Sequence, residues 1–248
     1  MKRRDHLAAN MVVWIAHVSQ AQDSLVHLEP CLDDHDRERA ARFHFADDRA
    51  RFILGRGLLR KCLGHYLEQK PETIELAYTD LGRPILPHDK DVHFNISHTQ
   101  DLVAIALTSG ARIGIDLEYA QPHSDLIELA GRIFSADDLK LFQALPSREK
   151  TDAFYRAWTR KEAYLKARGE GIAEGLQLIS VSFGSEETVS IIDSRDEAAT
   201  STWRLRALPL PGGYTGNLAC DDMYRHLELA FVELEQGELT IRTSSYFI

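Results

Sequence analysis

With hydrophobic residues at 44% and charged residues at 27%, the 248-residue chain has the balance of a folded globular protein, which excludes a wholly disordered or fibrous one. A formal charge of -9 argues against a broad nucleic-acid surface, and no run approaches the roughly 20 apolar residues that cross a bilayer. The three cysteines, Cys31, Cys62 and Cys220, lack paired metal or redox spacing and read as small apolar residues in a reducing compartment.

The basic start is followed by an apolar stretch, Met11 to Ala16, that is too short for a secretory leader, so a cytoplasmic protein is expected. Met11 to Val18 reads as an opening strand, and Asp33 to Arg42 as an exposed helix. From Ala46 to Tyr66 the apolar residues recur at helical spacing, which predicts a long amphipathic helix with one buried face. Gly55 and Gly57 interrupt its propensity or permit close packing. After Thr73 to Tyr78 and a turn over Asp80 to Pro84, Val92 to Ile96 is extended. Leu102 to Leu107 and Ile113 to Leu117 are strands that their short Ser109-Gly110 separation predicts to form a hairpin.

In the second half, Asp125 to Ile133 is a short helix, Ser135 caps the next, and Thr151 to Arg168 is the clearest helix, stopped by Gly169 and Gly171. Four strand candidates follow: Leu176 to Phe183, Thr188 to Asp193, Thr202 to Ala207 and Tyr214 to Cys220. Leu227 to Val232 and Leu239 to Arg242 are further candidates in a less informative tail reaching Phe247. Helix followed by strands in both halves favours two related α+β halves.

Strand alternation puts Asp116 and Glu118 on one face, and Glu162 offers a third carboxylate from the clearest helix. Three hard oxygen donors suit Mg²⁺, and Lys161 and Lys166 beside them suit an anionic, phosphate-bearing substrate. The same residues also read as an edge strand with solvated acids and a surface Glu162–Lys166 pair worth about 0.2–0.5 kcal/mol. Ser97 and His98, after apolar Val92 and Phe94, can donate to phosphate oxygens or serve only structure. Arg39, Arg51 and Arg83 carry the guanidinium fork suited to oxyanions, although each alone reads first as a solvated surface side chain. No P-loop or Gly-x-Ser-x-Gly turn is present.

Taken in order, Gly82-Arg83-Pro84, Phe94-Asn95-Ile96-Ser97-His98-Thr99, Gly114-Ile115-Asp116-Leu117-Glu118 and Trp158-Thr159-Arg160-Lys161-Glu162-Ala163-Tyr164-Leu165-Lys166 resemble the motifs of the 4'-phosphopantetheinyl transferases. The resemblance is to the larger, surfactin-synthetase-activating type and runs from the opening strand to Cys220. It implies a monomeric α+β transferase of two pseudosymmetric halves, expected here over 11–118 and 119–248, with coenzyme A and Mg²⁺, or Mn²⁺ in its stead, at their interface. Residue by residue, it implies Asp116, Glu118 and Glu162 as metal ligands, and Glu162, Lys166 and His98 as catalytic groups. Arg39, Arg51, Arg83, Ser97, His98 and Lys166 are the implied coenzyme A contacts. Asp36 stands where a second basic residue meets the nucleotide 3'-phosphate.

The implied reaction moves the 4'-phosphopantetheine arm of coenzyme A to a serine of an apo-acyl or peptidyl carrier protein of fatty acid, polyketide or nonribosomal peptide synthesis. Adenosine 3',5'-bisphosphate is released. Phe134, Leu141 and Phe142 read either as carrier contacts or as helix core. A carrier-binding module without turnover and another metal-dependent phosphotransferase are the competing readings.

Overall fold

A computed structural model describes residues 3–171, 175–222, 226–235 and 238–243. The first two residues of the basic start and the end of the tail, including Phe247, lie outside the described residues. Backbone contacts divide the chain into one α+β unit of Met1–Gly110 with Arg225–Ile248 and a second of Ala111–Tyr224.

In the first unit, α1 (Arg3–Ala9) leads into β1 (Asn10–His17), followed by α2 (Leu25–Leu28), α3 (Asp34–Ala41) and α4 (Ala46–Leu67). The short β2 (Ala77–Tyr78) and β3 (Pro84–Ile85) pair around Gly82, whose positive φ of 73° suits the residue without a Cβ. β4 (Val92–Thr99) and β5 (Leu102–Ser109) then form a hairpin. Far along the chain, β12 (His226–Glu235) lies parallel to β1, and β13 (Glu238–Thr243) pairs with β12. The resulting sheet has the order β13-β12-β1-β5-β4.

One face of that sheet, including Trp14, Phe94, Ile105, Leu107 and Val232, shares a core with Ile53, Leu54, Leu58 and Leu63 of α4. The expected single buried face of α4 is not what forms, because residues 52–60 are all buried. Gly57 accounts for part of this: a Cβ there would stand 2.7 Å from Leu28 Cβ, so α2 packs directly onto the helix backbone.

The second unit opens with β6 (Ile113–Tyr119), then α5 (Leu126–Ile133), α6 (Ala136–Ala144) and the long α7 (Ser147–Arg168). Ser135 caps α6 by accepting from Asp138 N, and Gly169, at φ 76°, ends α7. The later strands are shorter than their apolar runs predict: β7 (Ile179–Ser180), β8 (Thr188–Val189), β9 (Ile192–Asp193) and, after α8 (Ala199–Thr202), β10 (Arg204–Ala207). β11 (Tyr214–Cys220) completes the antiparallel sheet β6-β11-β10-β8.

Two further expectations need revision. β5 and β6 do not form a hairpin, because both edges of β5 are taken by β1 and β4, whereas β6 pairs with β11 in another sheet. The chain also divides before β6 rather than at 118/119, since β6 needs β11, and the last strands return to β1. Among the described residues, no helix is long and apolar enough to cross a membrane, and Cys31, Cys62 and Cys220 are buried free thiols.

Candidate active site

The second unit is built around the contact of α7 with β6. Gly114, Asp116 and Glu118 share one face of β6 by strand alternation, and Ala219 and Asn217 on β11 are the cross-strand neighbours of Gly114 and Asp116. A Cβ on Gly114 would lie 2.1 Å from the carbonyl oxygen of Ala163 and 2.4 Å from the amide nitrogen of Ala167. Absence of that one carbon lets the helix backbone rest on the strand. A buried hydrogen bond of 2.8 Å from Asn217 Nδ2 to Thr159 Oγ1 fixes the helix further along the same face.

At this contact the i, i+4 pair Glu162 and Lys166 meets the strand acids. Lys166 Nζ donates to Asp116 Oδ1 over 2.6 Å. Asp116 is 4% exposed and Glu162 only 2%, while Glu118 is half-buried. Burial pushes the Glu162 carboxyl up to about 7, reinforced by the Asp116 carboxylate and, less strongly, by Glu118, against the opposing charge of Lys166. Its Oε1 is buried without a hydrogen-bond partner among the described residues. Among the described residues, three carboxylates face one ammonium, with an orphaned oxygen among them, an arrangement whose oxygen donors could hold a hard divalent cation.

Lys161 does not join this group. Its Nζ donates to the carbonyls of Ile133 and Leu176, each at 2.9 Å, and burial lowers its pKa to about 8 despite Asp138 nearby. Glu118 also lines a cavity of about 720 Å³, with Leu129, Arg132, Tyr155, Trp158 and Gln177 among its other walls. Of the suggested carrier contacts, Phe134 and Phe142 are core residues at 2% and 0% exposure, whereas Leu141 is exposed. Sequence reasoning attached no role to Asn217 or Tyr155. Asn217 becomes legible once β11 is known to pair with β6, because Asp116 is its register partner.

The remaining predicted residues lie in the first unit. Ser97 is buried and His98 exposed on β4, and alternation directs them to opposite faces of that strand. β4 is an edge strand, so a ligand along its rim can meet both faces. Arg83 Nη2 donates to the carbonyl of Phe94 over 3.0 Å. Arg51 Nη1 donates to the carbonyl of Gln100 at 3.2 Å and pairs with Asp48. Arg39 is exposed, its guanidinium 5.3 Å from the Phe52 ring centroid. Asp36 is fully buried, accepting from Tyr78 Oη at 2.9 Å with Arg56 Nε at 3.2 Å. Although Asp33, His35 and Asp36 bring potential ligand atoms together, Arg60 pairs with Asp33 as Arg56 does with Asp36, so the acids already have cationic partners.

Residues 112–220 match the 4'-phosphopantetheinyl transferase superfamily, and residues 18–110 match the 4'-phosphopantetheinyl transferase N-terminal family. The chain belongs to the 4'-phosphopantetheinyl transferase superfamily. It is 41% identical over 171 residues to the 4'-phosphopantetheinyl transferase HetI of Nostoc sp., covering 68% of this chain and 72% of the relative. Similarity to the 4'-phosphopantetheinyl transferase Sfp of Bacillus subtilis is 35% identity over 155 residues, covering 62% of this chain and 68% of Sfp. AcpT of Escherichia coli is 32% identical over 143 residues, which cover 58% of this chain and 68% of AcpT.

Proposed function

We propose that this transferase takes the 4'-phosphopantetheine arm from coenzyme A and passes it to a serine of an apo-acyl or peptidyl carrier protein, with Asp116, Glu118 and Glu162 holding Mg²⁺. The observation that carries the metal assignment is the buried Glu162 carboxyl, with one oxygen unpartnered among the described residues, beside the acids of β6. Family membership supports the arm and its carrier acceptor.

In the reaction, the serine oxygen forms a bond to the phosphorus that carries the pantetheine. The P–O bond to adenosine 3',5'-bisphosphate breaks, and the serine proton leaves to a base. A bound divalent cation supplies charge neutralisation for the pyrophosphate. Lys166, already held at the acids by Asp116, is positioned to stabilise a phosphate oxygen that gains charge in the transition state. Glu162 is poised near neutrality to accept the serine proton directly or through water, a role that competes with ligation for the same carboxylate. Arg39, Arg51, Arg83, Ser97 and His98 are assigned to the coenzyme as phosphate contacts. We assign the protein to the cytoplasm, to act as a monomer on carriers of fatty acid, polyketide or nonribosomal peptide synthesis.

The test incubates the protein with coenzyme A, Mg²⁺ or Mn²⁺ and a panel of apo-carriers, and reads intact carrier mass with and without chelator. Gain of one phosphopantetheine on the carrier serine, lost with chelator, is the expected result. Transfer that persists in chelator removes the metal assignment, and no gain on any carrier removes the acceptor assignment.

A further inference from the structure

Lys161 is a buried cation that the transfer chemistry does not use. It lies about 100° round the helix from Glu162, so it leaves α7 in another direction. The residue is 1% exposed, with Nζ 4.8 Å from the Phe134 ring centroid and 3.8 Å from Asp138 Oδ2. Its two carbonyl acceptors belong to separate segments. Ile133 is the last residue of α5, where a helix has unsatisfied carbonyls and favours a cation, and Leu176 lies in the segment after α7. Both residues line the cavity that reaches Glu118.

We propose that Lys161 is a positioning residue for this cavity: one ammonium tied to two wall segments fixes the separation of α5 from the Leu176 turn, and hence the shape of the space beside Glu118. A buried lysine without acceptors would carry a large desolvation cost. Here the two carbonyls and Asp138 compensate the charge, which makes the tether specific to these partners.

The physical test is acrylamide quenching of tryptophan emission in the full chain. Trp14 and Trp203 are each 1% exposed, whereas Trp158 lines the cavity, so quenching reports on Trp158, with Trp158→Phe as the blank. Lys161→Met keeps the stem and removes the donors. It is expected to raise the quenching constant, whereas Lys161→Arg, which retains charge and donors, stays near the parent. Lys161→Met with Asp138→Asn removes the stranded carboxylate and guards against loss of folding from that cause alone. Unchanged quenching in a folded Lys161→Met protein overturns the proposal, as does failure of both Lys161→Met proteins to fold.

The kinetic arm rests on the proposed function. Transfer kcat/KM is expected to fall roughly 10–100-fold with unchanged Mn²⁺ affinity. An equal fall in Mn²⁺ affinity would mean that Lys161 acts on the carboxylates instead and overturns the cavity role. If the parent protein transfers no arm, the proposed function fails, while the quenching measurement still decides the role of Lys161.

Discussion

Lys166 on α7 reaches Asp116 on β6 with a hydrogen bond of 2.6 Å, which makes one lysine the resident counter-ion of a group with three carboxylates. Replacing it with methionine leaves the buried Asp116 without that cation, beside Glu162. Lys166→Met is therefore expected to lower the metal-free melting temperature and to make the protein more dependent on added Mg²⁺, because a second cation can then do part of the same neutralisation. Thermal melts in chelator and in Mg²⁺ check this: the metal-induced rise is larger in the variant than in the parent. Transfer itself is expected to drop roughly 10²–10³-fold, the usual loss when a preorganised oxyanion contact is removed.

Gly114 and Gly55 make a matched pair of tests. At Gly114 an added Cβ meets helix backbone at 2.1 and 2.4 Å, atoms that cannot turn aside, so Gly114→Ala must push α7 off β6. Destabilisation of about 3 kcal/mol or more is expected, with loss of metal binding because Glu162 and Lys166 ride on the displaced helix. At Gly55 the nearest atoms are side-chain methyls of Val103 and Ile96 at 3.6 and 3.8 Å, ordinary contact. Gly55→Ala in the middle of α4 is expected to be neutral or to stabilise by up to about 1 kcal/mol. Urea denaturation of the two variants distinguishes a contact that needs glycine from one that merely has it.

Burial and the neighbouring acids raise the Glu162 carboxyl from an ordinary 4.5 to about 7, which fixes the sign of its pH effect. Below 4.5 the group is protonated in both folded and unfolded chains and makes no difference. Between 4.5 and 7 the unfolded chain ionises first, so this residue's contribution to stability falls as pH rises, and the loss is complete above 7. Glu162→Gln removes the ionisation. In chelator the variant is expected to gain stability over the parent as pH goes from 5 to 8, by on the order of 3 kcal/mol at full effect, while losing transfer. Denaturation at the two pH values checks the slope, and Mg²⁺ should stabilise the parent more at pH 8 than at pH 5, since ligation needs the ionised acid.

What was legible in the sequence was whatever depended on local periodicity. The two-residue step of Asp116 and Glu118 and the four-residue step of Glu162 and Lys166 fixed each pair's face, and Gly169 fixed the end of α7. What was not legible depended on partners distant in the chain. A tight turn at Gly110 reads as a hairpin until the edges of β5 are known to be filled, and nothing local tells β12 to return beside β1 in parallel. Lys161 reads from the sequence as a second cation of the site beside Lys166, since adjacent positions in sequence conceal how far apart two helical side chains point. The short β7 has the same origin: Ile179, with Val181 and Ile191 nearby in the chain, belongs to the core that holds Phe134 and Phe154 rather than to an extended ladder, whereas Ile192 of β9 is exposed.

Asp36 and Arg39 sit three residues apart, and their surroundings predict opposite phenotypes. Asp36 is fully buried, held by Tyr78 and Arg56, with Arg60 3.9 Å away, so Asp36→Ala strands buried guanidinium charge and is expected to cost about 3–5 kcal/mol. Tyr78 gives an independent sign of the same contact, because its hydroxyl is held well above its ordinary range by burial and then by the Asp36 carboxylate. Arg39 is exposed, with its guanidinium near the Phe52 ring, so Arg39→Ala should change stability by no more than about 0.5 kcal/mol. If Arg39 serves the nucleotide phosphate, its variant raises the KM for coenzyme A while leaving the KM for dephospho-coenzyme A, which lacks the 3'-phosphate, unchanged. Equal KM changes for both donors would assign Arg39 elsewhere. Asp36→Asn keeps the shape but lacks the charge, and is expected to lose stability without separating the two donors, as befits a residue that braces the arginines rather than touching the nucleotide.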